Sequence, residues 1–99
     1  MNLEMQNLAN ELANNLRAMC IKGQQLYKTG NMKASIMVVQ VDENYCDIVI
    51  ATPYASFTNT RGKLAGWIER SITNTCRAFA SNNNVEDLNL MGQITYGGF

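Results

Sequence analysis

Thr29-Gly30-Asn31-Met32-Lys33-Ala34-Ser35-Ile36 decides how this chain folds, together with Pro53-Tyr54-Ala55 further on. Gly30 can take the left-handed conformation that closes a helix, and apolar and β-branched residues follow it. Before it, Met5, Leu8, Leu12, Leu16, Met19 and Cys20 recur at steps of three and four, and Gly23 and Leu26 extend the stripe. That period predicts an amphipathic helix over Leu3–Lys28, with Asn7, Glu11, Asn14, Asn15 and Lys22 on its wet side. At about 1.5 Å per residue it would be long for a small domain.

After Gly30 the reading changes to a strand over Met32–Val41. Ala34, Ile36 and Val38 alternate with Met37, Val39 and Val41, so both faces are apolar. Asp42-Glu43-Asn44 reads as a hairpin turn, and Tyr45–Thr52 as the return strand. Pro53 ends that strand because it has no N–H to donate. Tyr54–Gly62 reads as a loop, with Asn59 or Thr60 as the N-cap of a second helix. Leu64, Trp67, Ile68, Ile72, Cys76 and Phe79 form that helix's apolar stripe, a register that favours Trp67 as core over Trp67 as an interface anchor. A last strand is expected near Asp87–Met91, with a bend at Gly92 and a loose tail from Gly97 to Phe99.

The expected fold class is therefore α+β: helix, hairpin, helix, strand, in a small and mainly antiparallel sheet with two helices on one face. Ninety-nine residues make a single domain, residues 1–99. The other sheet face, carrying Met37, Val39, Val49 and Tyr45, would have no cover, and such a patch marks an interface.

Chemistry is sparse. Histidine, the commonest general base, is missing. Asp42 with Glu43, and Glu86 with Asp87, look like solvated turn residues. Ser35, Ser56, Ser71 and Ser81 have no base beside them in the pattern. Gly62-Lys63 lacks the other elements of a phosphate loop. No enzyme is expected, and no cofactor or metal. Cys20, Cys46 and Cys76 are three, widely spaced and in apolar register, as buried reduced thiols are. The net charge is zero and 16% of residues are charged. No basic patch stands out in the linear sequence, so sequence-specific nucleic-acid binding is not expected. The longest apolar-rich stretch, Ala34–Val41, is too short to span a bilayer. The start Met1-Asn2-Leu3-Glu4 shows no signal-peptide pattern.

The residues Thr29, Gly30, Met32, Ser35 and Ile36, then Tyr54 and Ala55, then the Leu64–Phe79 helix, resemble a family of tail-completion, or head-to-tail joining, proteins of long-tailed bacteriophages. Members share a "Thr-Gly-x-Leu-x-x-Ser-Ile" turn and a later "Tyr-Ala". The resemblance covers roughly residues 1–80. Ser56-Phe57-Thr58-Asn59 stands here where members carry an acidic residue and Gly-Thr, and Leu26-Tyr27-Lys28 stands where a proline-containing approach is usual. The resemblance implies a structural virion protein of the neck or tail, made in the host cytoplasm, that forms ring oligomers, often six-fold, between other virion neck and tail proteins. The interface candidates are Met37, Val39 and Val49 on the sheet, Asp42, Glu43 and Asn44 at the hairpin tip, and Tyr54, Phe57, Arg61 and Lys63 in the loop. The alternative is a small phage-encoded or bacterial inhibitor or regulator acting as a monomer or dimer.

Overall fold

The structure is a computed structural model and describes residues 3–20, 30–42, 45–83 and 90–97. Its elements are α1 (Leu3–Ala18), α2 (Asn31–Ser35), β1 (Ile36–Val41), β2 (Cys46–Ile50), α3 (Pro53–Thr60), α4 (Trp67–Asn83) and β3 (Ile94–Gly97). The fold is α+β. The three strands lie in the order β1-β2-β3, with β1 antiparallel and β3 parallel to the central β2. The sheet is thus mixed. A parallel neighbour cannot be reached by a tight turn, and here α3 and α4 make the crossover.

Helix α1 buries Met5, Leu8, Leu12 and Leu16 as its period predicts, and Ala9 and Ala13 are buried beside them. It packs on α4, β1 and β2. The helix ends at Ala18, with Met19 and Cys20 closing it through bonds to Leu16 O and Arg17 O. Met19, expected on the apolar stripe, is exposed. The rest of the expected helix, with Gly23 and Leu26, lies outside the described residues.

Gly30 does adopt the left-handed conformation, with φ 82°. The strand does not begin directly after it. Residues Asn31–Ser35 form a helical turn in which Ala34 N–H reaches Gly30 O and Ser35 Oγ donates to Met32 O. The buried pair Met32 and Ile36 is four residues apart, a helical spacing, and Met, Lys and Ala are good helix formers. Strand β1 therefore begins four residues later than Met32.

The alternation in β1 is broken once. Val38 pairs with Ile48 and Gln40 with Asp47, so Val39 is an extra residue in a β-bulge. The bulge turns Val41 to the core side, where it pairs with Cys46 and packs against the buried cluster. The strict alternation that put Val41 with Met37 and Val39 fails for this reason. In β2, Cys46, Ile48 and Ile50 are buried and Asp47 and Val49 are half-buried, as the period-two reading requires.

The expected loop after Pro53 is helix α3. Proline suits the first turn of a helix, where its missing N–H has no partner to lose. Ala55 and Thr58, three apart, are buried by it. Helix α4 starts at Trp67 rather than Leu64 and runs to Asn83 rather than Phe79. Leu64 lies in the preceding turn, half-buried against the core. Trp67 is fully buried, and its indole N–H donates to Thr58 Oγ1 at 3.0 Å. The last strand is Ile94–Gly97. Residues 87–89 lie outside the described residues, and Leu90 and Met91 pack partly buried against the core.

Candidate interaction surface

Helix α1 packs on β1 and β2, with α4 against it, on the sheet face that carries Ile36, Cys46, Ile48 and Ile50. Ile94 and Tyr96 of β3 sit opposite Cys46 and Ile48, so they share the covered face, and the Tyr96 hydroxyl bonds to Glu69 of α4. On the other face, Met37 is paired with Val49, and Val49 with Gly97. Met37 and Val39 are each 48% exposed, the most exposed large apolar side chains among the described residues. A Cβ at Gly97 would meet nothing within 4 Å, so the surface stays open to its edge. Beside this apolar row lies a polar one. Thr95 Oγ1 donates to Asp47 Oδ1 at 3.0 Å, across from Gln40.

Met37, Val39 and Val49 are therefore brought together as one open patch. Asp42 is exposed at the end of the hairpin, where its N–H bonds to Tyr45 O and its carboxylate to the Tyr45 hydroxyl. The Tyr45 phenol is raised by desolvation first, then by the Asp42 hydrogen bond and the charges of Asp42 and Asp47. Glu43 and Asn44 lie outside the described residues. Tyr54, Arg61 and Lys63 do not join the patch. They follow the Ile50 end of β2, about 13 Å along the strand from its Cys46 end. Tyr54 is on α3, half-buried against the core, while Arg61 and Lys63 are exposed between α3 and α4. Phe57 lies in α3, and its side chain is outside the described set.

One polar network holds the Ile50 end rigid. Asn59 Oδ1 accepts from Ile68 N–H at 2.9 Å, and its amide donates to both Glu69 carboxylate oxygens at 2.9 Å. Asn59 is indeed a cap for α4, but it acts across a turn, from the last part of α3. The signal was a hydroxyl-and-amide run before an apolar stripe; the intervening turn could not be read from it. Arg17 was missed altogether. Its guanidinium grips the Ile36 carbonyl, and nothing in the spacing of two residues so far apart announces that.

A groove of about 310 Å³ runs between α1 and α4, lined by Glu11, Asn15, Met19, Ser71, Asn74, Thr75 and Ala78. Two of its polar side chains are tied together. The Asn15 amide donates to Thr75 Oγ1 at 2.7 Å, and that hydroxyl donates to Ser71 O at 2.7 Å. A smaller groove of about 210 Å³ separates α4 from β3 and is lined by Glu69, Ile72, Thr73, Met91, Ile94 and Tyr96. Among the described residues no group of His, Cys, Asp and Glu could hold a metal ion, and no helix is long and apolar enough to cross a membrane.

The three cysteines are buried and none is in a disulfide. Burial, and secondarily the charge of Asp47, push the Cys46 thiol up to about 11. Burial also raises Cys20, partly offset by Lys33. Both are protonated packing residues near neutral pH rather than nucleophiles.

No family model, curated protein or solved structure matches this chain.

Proposed function

We propose that the protein is a structural subunit that works by assembling, and that the assembly is a neck or tail-completion ring joining the head of a long-tailed bacteriophage to its tail. The observation that carries the assembly is the open sheet face, where Met37, Val39 and Val49 form an apolar patch that neither helix covers. Patches of this kind are interaction sites on small soluble proteins. The assignment to the phage joint rests on the resemblance of the Thr29–Ile36 turn, Tyr54-Ala55 and the following helix to that family. A ring requires a heterologous contact, front of one subunit against back of the next. Binding here needs no cofactor and no catalysis.

Native mass spectrometry of the purified chain, alone and with neck proteins, tests the assembly. A high-order species supports it, and a particle reconstruction with this chain at the neck or tail end supports the phage reading. A small, non-assembling chain that binds and silences a host enzyme would replace both with the inhibitor reading.

A further inference from the structure

The net charge is zero, yet the described charges are unevenly placed. The fold gives each end a definite set of charges. Ile36 pairs with Ile50, so α2, just before Ile36, lies at the Ile50 end of the sheet and carries exposed Lys33. Arg17 reaches the Ile36 carbonyl, which puts the C-terminal end of α1 there too. Asn15 touches Thr75, and Tyr96, paired with Ile48, touches Glu69, so α4 runs opposite to α1 and starts at the same end. Exposed Arg61, Lys63 and Arg70 surround that start. One acid, Glu69, is among them, and it is held by Asn59 and Tyr96. At the Cys46 end the hairpin carries Asp42 and Asp47 and no described cation, while the later turns of α4 bring exposed Arg77 toward that end from the helix side.

We propose that the basic end of one copy, formed by Lys33, Arg61, Lys63 and Arg70, docks on the acidic hairpin end, Asp42 and Asp47, of a second copy. The two ends cannot neutralise each other within one molecule. The ends of β2 lie about 13 Å apart, and charges in physiological salt are screened beyond about 8 Å. A neighbour's opposite end falls inside that range on contact. Exposed ion pairs supply little affinity, but they set orientation and exclude the reversed approach. A head-to-tail contact between unlike ends is the heterologous kind that closes a ring or extends a stack. The open apolar face continues toward the acidic end, because bulged Val39 immediately precedes Gln40, the residue paired with Asp47. Apolar contact and charge register thus meet at one place. The inference rests on the proposed assembly for its occupant, a second copy.

Charge reversal at either end tests it. Arg61→Glu with Lys63→Glu cancels the positive charge of the basic end; Asp42→Lys with Asp47→Lys makes both ends basic. Each pair alone should weaken self-association more than about tenfold in sedimentation, and an equimolar mixture should restore it. Association of the wild type should weaken as salt rises from about 50 to about 500 mM. Circular dichroism checks the fold, and Lys33→Glu with Lys63→Glu replaces the first pair if it fails to fold. A mixture that does not associate overturns the contact. So does an assembly indifferent to all these reversals and to salt, which leaves the sheet-face reading standing. A mixture that associates, in a protein absent from phage particles, upholds the contact and removes the phage reading.

Discussion

The Arg17 guanidinium donates two hydrogen bonds to one backbone oxygen, the carbonyl of Ile36, at 2.6 Å through Nη2 and 3.2 Å through Nε. Ile36 is where the helical turn after Gly30 becomes strand β1, so its carbonyl faces α1 at a change of direction. One side chain therefore ties the last turn of the first helix to the start of the sheet. Arg17→Ala should destabilise the fold by about 1–3 kcal/mol in urea unfolding, because it removes charge-assisted bonds to a part-buried carbonyl. Arg17→Lys should recover only part of the loss, since an ammonium cannot reproduce the planar fork.

Thr58 and Trp67 form the second coupled pair. The Thr58 hydroxyl, buried with the indole, also lies 3.1 Å from Tyr54 O and Ala55 O. Thr58→Val keeps the shape and removes the acceptor, which should cost about 1–3 kcal/mol. Trp67→Phe alone costs packing volume as well. The double variant should cost less than the two singles together, and a double-mutant cycle by chemical unfolding measures the difference.

At Gly30 the positive φ is imposed by the chain's entry into α2. A β-branched side chain there is strained, and Gly30→Val should lower stability by about 1–2 kcal/mol or more. An unchanged thermal midpoint would mean that this turn is built differently.

Cys46 gives the fold an alkaline limit. Its thiol is ordinary in the unfolded chain, near 9.0, and raised to about 11 when folded. The unfolded state therefore loses its proton first as pH rises. Stability should be full below pH about 9 and fall between there and about 11, by up to about 1.4 kcal/mol per pH unit. Cys46→Ala should flatten that slope in unfolding curves recorded across the window.

Val39→Glu places a charge on the uncovered face. It should abolish assembly while leaving the circular dichroism spectrum intact. Loss of the folded signal from a protein with no wild-type oligomer would sink the assembly reading.

The periodic elements were readable from sequence because burial leaves a repeating mark. Leu8, Leu12 and Leu16, and likewise Cys46, Ile48 and Ile50, stand at the intervals of their elements and are all buried. Trp67 stood in register and is core. Errors came where a short helix leaves too few turns to show a period. Met32–Ser35 and Tyr54–Thr60 each cover about two turns or fewer, and a proline that ends a strand also opens a helix. The bulge at Val39 was hidden because one inserted residue changes no residue type. The open patch was legible from two-faced apolarity in the hairpin. The separation of charge was not, because it depends on which ends the crossover brings together.

The parallel partnership of β2 and β3 joins residues 48 positions apart, as between Asp47 and Thr95. The hairpin needs only its own turn, whereas β3 needs everything between. On the ribosome, then, β1 and β2 can pair early while one edge of β2 waits for the crossover and Gly97 to emerge. During that interval a bare strand edge coexists with an apolar sheet face, and the nascent chain is at its stickiest. Synthesis order thus sets a window in which a chaperone, or a sister chain on the same message, can reach the sheet before its own last strand does.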